Sequence, residues 1–452
     1  MIAQADIVAT FESPWVRAAL IALGLTLVLV LVREMRKVPG QLRILMATAF
    51  LDMVGMLMIV PLLPFYVKRI GGDAVEVFGV TLGTGALQGI VVSCHTVAQL
   101  VAAPLWGRFS DRFGRKPALL CSLGASAVAF LVFGFADSIL VLMLSRIVQG
   151  AGGGTVGVVQ AYVADSTEPE NRARALGWLS AATNLGVALG PVLGSAAIVF
   201  GSFDLWPGEE SVKMGTAAPG IFAAMLCLVT FWFAWRYLPE SNPDRDANAK
   251  VQRTRPYQAL LGVITRMDQP ASRLILTYAI AIGSFHGINA VLALFLNARY
   301  QVTEDSIGYF YMYIGAIAVF TRTLVLGRMV DRFGEARLSR IGIVTLAAGI
   351  CIIPLADSLG TLALGIGMLP LGTAFTFPCV TALLSRVTKK ADRGLYMGLQ
   401  HSYGGLSRAL APLFFGWAFD VLGTGIPFFF SAAFVLSTIL LGFGLHRYSG
   451  KD

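Results

Sequence analysis

Charged residues are scarce in this sequence. They make up 13% of the 452 residues, whereas hydrophobic residues make up 56%, and a typical soluble domain is about 25% charged. This composition excludes the ordinary water-soluble classes of protein. A helix needs about 20 apolar residues to cross a hydrocarbon core of about 30 Å, and apolar runs of that length recur along the chain. The sequence therefore predicts an all-α membrane protein.

The sequence also has few residues that bind metals or form disulfides. Its five cysteines all fall in apolar runs, without the spacing of a metal site or a disulfide framework. We therefore expect them to pack as small hydrophobic residues. The sequence has no Walker loop, no Ser/His/Asp arrangement typical of a hydrolase and no long soluble segment. We expect no metal site, no cofactor and no enzymatic activity.

Basic residues outnumber acidic ones, 35 against 26, which gives a net charge of +9. In a membrane protein the simplest reason is the enrichment of Lys and Arg in cytoplasmic loops, so we expect no nucleic-acid partner. Most Lys and Arg residues do fall in alternate loops. This bias predicts a multi-pass protein of the plasma (inner) membrane, with the middle linker and the C-terminus in the cytoplasm and the N-terminus outside.

Hydropathy predicts thirteen membrane helices, an extra first one near 15–33 and two sets of six. The first set lies near 43–66, 79–106, 116–135, 138–165, 172–200 and 217–237, and the second near 273–298, 305–327, 336–356, 358–386, 393–419 and 424–446. Arg33, Arg36 and Lys37 follow the extra helix, which favours an uncleaved segment. The predicted units are 1–40 (external N-terminus and extra helix), 41–238 (first bundle), 239–270 (cytoplasmic linker), 271–447 (second bundle) and 448–452 (cytoplasmic tail).

The chain repeats itself. "GRFSDRFGRKP" at 107–117 is echoed by "GRMVDRFGEAR" at 327–337, and Arg172, Gly177 and Pro191 recur as Arg393, Gly398 and Pro412. Both copies of the charged segment are predicted to face the cytoplasm, so the halves are parallel repeats. Such repeats place a cavity at their interface near the middle of the bilayer. Glu335 and Ala336 replace Arg115 and Lys116 in the second copy, where we expect weaker ion pairing.

Four motifs in order resemble the major facilitator superfamily and, within it, the drug:proton antiporters that include tetracycline-efflux proteins. They are "LDMVGMLMIVPLLP" (51–64), "GRFSDRFGRKP" (107–117), "RIVQG" (146–150) and "GVALGPVLGS" (186–195). The resemblance covers about 41–446 and implies the major facilitator fold, two six-helix bundles in a pseudo-twofold repeat. Ser195 departs from the small Gly of the fourth motif. The extra first helix lies outside the resemblance, which leaves a protein or a lipid partner for it open.

We interpret the charged segments as a gating cluster. Asp111 is expected to pair with neighbouring arginines and to lie against the end of helix eleven, while Asp165 accepts from Arg108 or Arg112. This cluster would hold the halves together when the protein faces outward and break when it faces inward. The residues assigned to it are Gly107, Arg108, Asp111, Arg112, Gly114, Arg115, Asp165, Asp331 and Arg332.

Asp52 is the strongest candidate for chemistry. It follows Arg43 by about 14 Å along a helix that rises 1.5 Å per residue, which places it near mid-membrane. A carboxyl group there is costly when charged, so it can hold a proton and release it when a cationic substrate arrives. The resemblance implies that Arg146 takes part in the coupling, because a fixed cation favours the charged carboxylate. The alternatives are a permanently paired Asp52 and an Arg146 bound to carbonyls of helix one.

Other polar residues in the predicted helices are candidates for proton coupling or substrate binding. The histidines can relay protons or pack as hydrogen-bonded core residues. The arginines of the second half have no acidic partner in their own helices, so they meet either an anionic group of a substrate or a carbonyl. These candidates are Gln149, His95, Gln99, His286, Asn289, Arg322 and Arg408.

Gly186, Gly190 and Gly194 recur every four residues and therefore share one helix face, on which another backbone can approach closely. Pro191 adds a bend. In exporters with this motif the surface is thought to seal the cavity against leaks. Ordinary packing of small residues explains the same pattern.

These features support three hypotheses for function. The first is proton-coupled export of small amphipathic or drug-like compounds by alternating access, with a small molecule, protons and the lipid bilayer as partners. The second is a carrier or flippase for a lipid-like or specific endogenous metabolite. The third is a membrane assembly or interaction protein whose extra helix docks a partner, although Asp52, Arg146 and both charged segments favour transport.

Overall fold

The computed structural model describes residues 40–77, 80–153, 155–202, 215–241, 256–389 and 392–442, together with residue 22. These residues are almost entirely helical. Apart from residue 22, the predicted extra helix at 15–33 lies outside the described residues. So do the tail at 448–452 and most of the linker. The predicted total of thirteen helices therefore stays a prediction.

The first half contains eight helices and one hairpin in the described residues. The first and fourth predicted passes are each built from two helices, which meet near Pro61 and near Gly153. The elements are α1 (Gly40–Ile59), α2 (Leu63–Gly71), β1 (Ala74–Val77), β2 (Val80–Gly83), α3 (Thr84–Phe113), α4 (Arg115–Gly134), α5 (Ile139–Gly152), α6 (Thr155–Ser166), α7 (Pro169–Gly201) and α8 (Ala218–Tyr237). The strands β1 and β2 pair antiparallel.

The second half begins within the predicted linker, where α9 forms a short helix. Its elements are α9 (Pro256–Thr265), α10 (Pro270–Tyr300), α11 (Glu304–Phe320), α12 (Leu326–Ile352), α13 (Leu359–Val387), α14 (Arg393–Val421) and α15 (Ile426–Leu441). A π-helical turn, Thr321–Val325, joins α11 to α12.

Nine helices of the described residues are long and apolar enough to cross a membrane. One of them, Glu304–Leu355, has 52 residues, which is about 78 Å of helix and more than twice the bilayer core. It bends at Gly334, where φ is +73°, so it crosses twice. The helix α14 and the 16-residue α15 complete twelve passes in the described residues, in the predicted order.

The charged segments differ from the predicted loops. The helix α3 continues to Phe113 and α4 begins at Arg115, so the reversal occurs at Gly114, with φ of +107°. The second copy reverses in the same way at Gly334. Glycine permits this left-handed conformation, and Asp111, Arg112, Asp331 and Arg332 near the two reversals are exposed. We call the face that carries Gly114 and Gly334 the basic face and the opposite one the hairpin face.

The hydrophobic core is shared between the halves on one side only. On the hairpin side a single cluster combines α2 residues such as Tyr66 with α10 residues such as Phe295 and Tyr300. Toward the basic face the core divides into clusters that each belong to one half. The halves are therefore packed together at the hairpin face and separate toward the basic face.

Candidate functional site

Asp420 closes the hairpin face. It lies at the end of α14, and its Oδ1 and Oδ2 accept hydrogen bonds from the amides of Gly85 (2.8 Å) and Ala86 (2.7 Å) in the first turn of α3. First-turn amides have no acceptor within their own helix, and the positive end of the helix dipole favours a carboxylate. A Cβ atom on Gly85 would lie 2.6 Å from the carbonyl oxygen of Gly416, so the backbones touch. This contact joins the two halves.

A second contact closes the same face between α7 and α11. Ser195 donates to the carbonyl oxygen of Glu304 (2.7 Å) and accepts from the amide of Gly308 (3.0 Å). Arg69 of α2 pairs with the Glu304 carboxylate at 3.4 Å. Ser195, which departs from the fourth motif, therefore forms hydrogen bonds between the halves.

The pathway is open toward the basic face. The helix α3 contacts α14 closely at Gly85 and Gly89, whereas nearer the basic face Val101 is 67% and Leu105 is 60% exposed. Ion pairs at this face, Arg115 with Asp165 and Arg386 with Glu335, join residues of the same half. The two halves therefore contact each other at the hairpin face and are separate toward the basic face.

Arg115 organises the charged cluster of the first half. It donates to Asp111 at 2.6 Å, to Asp165 at 2.8 Å and to the Ser110 hydroxyl at 2.9 Å. The prediction that Asp165 accepts from Arg108 or Arg112 was wrong, because Arg115, as the first residue of α4, lies between the ends of α3 and α6. Asp111 is 66% exposed. In this open arrangement it does not lie against helix eleven, where we predicted it.

Three further residues of the predicted cluster lie at the end of α3 and are exposed, Gly107, Arg108 and Arg112. In the second half, Asp331 and Arg332 are exposed at the matching position in α12.

The second half keeps the ion pair with its charges exchanged. Glu335 occupies the repeat position of Arg115, and Arg386 of α13 occupies that of Asp165. The two side chains pair at 2.5 Å, and Glu335 is buried. The expectation of weaker pairing in this half stays a prediction, and the basic partner is Arg386, which lies outside the repeated segment.

Asp52 lines a cavity in the first half. The cavity has a volume of about 430 Å³ and lies between α1, α6 and α7. Asp52 is 8% exposed, and the other polar residues of the wall are Thr48, Gln160, Ser180 and Thr183. One carboxyl group thus faces a small, mostly apolar chamber with several hydroxyls.

Arg146 and Gln149 are buried in α5. The guanidinium of Arg146 lies 4.8 Å from the ring centre of Phe133 in α4, rather than on carbonyls of helix one. In the described chain, Nη2 of Arg146, Oε1 of Gln149 and Nδ1 of His95 have no hydrogen-bond partner. Gln99 donates to the Gly153 carbonyl at 3.5 Å. The structure thus brings four predicted residues together between α3 and α5.

The polar candidates of the second half are dispersed. Arg322 lies in the π-helical turn and donates to the Asn184 side chain of α7, across the interface. Tyr311 donates to the backbone carbonyl of Asn289 at 3.4 Å. His286 and Arg408 lie on α10 and α14, close enough to interact electrostatically.

The glycine face of α7 packs against α1. Cβ atoms on Gly186 and Gly190 would lie 2.6 Å and 2.9 Å from carbonyl oxygens of α1, and Gly194 contacts Met58. Pro191 lies on the other side, where its carbonyl faces Gly308 of α11. The glycines of the motif therefore pack α7 against its own half, and the residues between the glycines contact the other half.

Asp420 and Ser195 did not emerge from the sequence as contacts between the halves. The available signal was the pair of glycines, Gly83 and Gly85, at the start of α3 together with an acidic residue at the end of α14. This signal predicts a contact only when it is already known that these two helix ends meet in the fold.

Comparison with known proteins identifies relatives along nearly the whole chain. The family profile described as Major Facilitator Superfamily matches residues 45–325 and 274–450. The tetracycline resistance protein, class B, of Escherichia coli is 27% identical over 380 residues, which are 82% of this chain and 87% of that protein. Multidrug resistance protein 2 of Bacillus subtilis (strain 168) is 26% identical over 405 residues, which are 89% and 93%. The crystal structure of the human organic anion transporter MFSD10 (TETRAN) superposes with a TM-score of 0.66 at 23% identity and covers 89% of this chain and 100% of that one.

Proposed function

Because the chain belongs to the major facilitator superfamily and is a membrane transporter of that family, we propose that it exports small amphipathic or drug-like compounds in exchange for protons. The names of the tetracycline and multidrug resistance relatives support export. Human MFSD10, by contrast, is an organic anion transporter, and this difference among the relatives leaves the charge of the substrate open.

One observation carries the coupling to protons. Within the membrane-crossing helices of the described residues, Asp52 is the acidic side chain that lies away from the helix ends, and it lines the cavity between α1, α6 and α7. A carboxyl group in such a place is a functional site by default. It alternates between a protonated state and a charged state during the transport cycle.

Alternating access follows from the two faces. The positive-inside rule assigns the basic face to the cytoplasm of a plasma (inner) membrane, so the structure corresponds to an inward-facing state. Opening outward requires the hydrogen bonds of Asp420 and Ser195 to break and the basic face to close. In that state the charged segment around Asp111 meets the second half.

Gradient-driven transport tests this proposal. We expect purified protein in liposomes to move ethidium against its gradient when a pH gradient is imposed, and Asp52→Asn to reduce the gradient-driven rate at least about tenfold, because an amide carries no exchangeable proton in this pH range. Asp52→Glu keeps the titratable group and should retain part of the rate. Asp268→Asn removes an exposed carboxylate outside the passes and serves as the matched control. Undiminished gradient-driven movement in Asp52→Asn contradicts the proton role.

A further inference from the structure

Positive charge predominates inside the membrane-crossing helices of the described residues. Three arginines, Arg146, Arg322 and Arg408, lie in their interiors, against one acidic residue, Asp52. An isolated charge in this region costs several kcal/mol or more unless a partner or water stabilises it. The contacts of each arginine therefore determine how its charge is stabilised.

Two of the three have a contact with the protein, although Nη2 of Arg146 has no hydrogen-bond partner in the described chain. Arg146 lies over the ring of Phe133, and Arg322 bonds the side chain of Asn184. Arg408 forms neither a hydrogen bond nor an ion pair with any described part of the chain, and it is half-buried. Its five N–H donors are available to a ligand.

Arg408 lies at the inner end of the opening. It precedes Asp420 on α14 by about 18 Å at 1.5 Å per residue, which is about half the bilayer away from the hairpin face. One turn earlier, a Cβ atom on Gly405 would lie 2.9 Å from the Leu100 side chain of α3. Beyond Leu100 the α3 helix is exposed toward the basic face. A compound that enters from the basic face meets Arg408 where the halves come together.

The neighbours of Arg408 suit an anion with an aromatic body. The helix α10 packs against α14 at this level, where a Cβ atom on Gly404 would lie 2.8 Å from the Tyr278 ring and one on Gly283 would lie 2.9 Å from Ser407. His286 of α10 and His401 of α14 lie within electrostatic range of Arg408. These side chains can donate hydrogen bonds and carry no negative charge at neutral pH. The rings of Tyr278 and Phe377 are 5.4 Å apart in an edge-to-face arrangement and offer an apolar wall.

We propose that Arg408, with Tyr278 and His286, binds a carboxylate of the transported compound, so that the substrates include aromatic or amphipathic carboxylates. The planar guanidinium matches a carboxylate with two parallel hydrogen bonds, which an ammonium group cannot form. This inference rests on the proposed transport function and names the class of compound that is transported.

Binding of a matched pair of dyes tests the subsite. Dansylglycine carries a carboxylate and dansylglycinamide is its uncharged counterpart. We measure the affinity of each dye for the full-length protein in detergent by fluorescence anisotropy. The native chain should bind dansylglycine roughly tenfold to a hundredfold more tightly than the amide, the range expected for hydrogen bonds to a charged group. Arg408→Gln should remove this difference.

Two further variants keep the test decisive. Arg408→Lys retains the charge without the fork and should keep part of the preference, which also serves if the Gln variant fails to fold. Arg266→Gln removes an exposed arginine outside the passes and should behave as the native chain. Equal affinities for the two dyes, no binding of dansylglycine, or an unchanged preference in Arg408→Gln would overturn the subsite.

The outcome is separable from that of the proton-coupling experiment. A lost pH-gradient effect on ethidium with a retained preference for dansylglycine refutes proton coupling and leaves the subsite. Gradient-driven ethidium transport without any preference for the carboxylate refutes the subsite and leaves the coupling.

Discussion

A single carboxylate determines much of the closure at the hairpin face. Asp420 supplies an acceptor to each of two amides that belong to the other half, and these amides lie at the positive end of a helix. An aspartate at a helix end is ordinary in itself. Asp420 links the halves because it lies beside the first-turn amides of the other half.

We predict that Asp420→Ala opens the hairpin face more often. The loss of two charge-assisted hydrogen bonds should cost the closed state about 1.5–3 kcal/mol. In a background without the native cysteines, a single cysteine at Phe419 should then react roughly ten times faster with an impermeant maleimide applied to that face. Asp357→Ala is the control, because Asp357 is on the same side but pairs with Arg299 of its own half. An unchanged labelling rate would show that Asp420 does not hold the face shut.

At the scale of helices, the exchanged ion pair stabilises the same junction in both halves. Arg115 and Asp165 join α4 to α6, and Glu335 and Arg386 join α12 to α13. The side chains of Arg115 and Glu335 are 13% and 10% exposed, so these pairs are better shielded than typical surface salt bridges.

We predict that Arg115→Glu destabilises the first half and that the double variant Arg115→Glu/Asp165→Arg recovers most of the loss. The single change places like charges together, and the double change reproduces the arrangement of the second half. Thermal unfolding of the purified single and double variants gives the coupling energy, expected at about 1–3 kcal/mol. Additive effects of the two changes would argue against a direct pair.

The arrangement of helices could be predicted from the sequence because hydropathy and the repeat report local properties. Apolar runs indicated the passes, and the segments around Asp111 and Asp331 indicated the two halves. The partners of Ser195, Asp420 and Glu335 could not be predicted, because they lie more than a hundred residues away or outside the repeated motif. For the same reason, Asp52 was found as an intramembrane carboxyl group, but its cavity was not.

At the scale of the whole molecule, the proposed alternating access makes this arrangement one stage of a transport cycle. The halves share a core on the hairpin side and separate on the basic side. Asp111 is 66% exposed in this arrangement, and in the proposed outward-facing state it meets the second half.

We predict that Asp111→Asn slows turnover and leaves substrate affinity within about twofold. The substitution removes a charge that is exposed here and that is used when the basic face closes. Initial transport rates in liposomes and equilibrium binding in detergent measure the two quantities separately. An unchanged transport rate would refute the gating role, whether or not substrate binding is weakened.

The exchanged ion pair also bears on how the chain assembles. The two halves are similar enough for the third pass of one to meet the fourth pass of the other while the helices gather in the membrane. Such a mispairing would bring Arg115 to Arg386 and Glu335 to Asp165, two contacts between like charges. Correct pairing within each half satisfies both. We therefore expect the opposite signs to favour the pairing of each helix with its own half during folding.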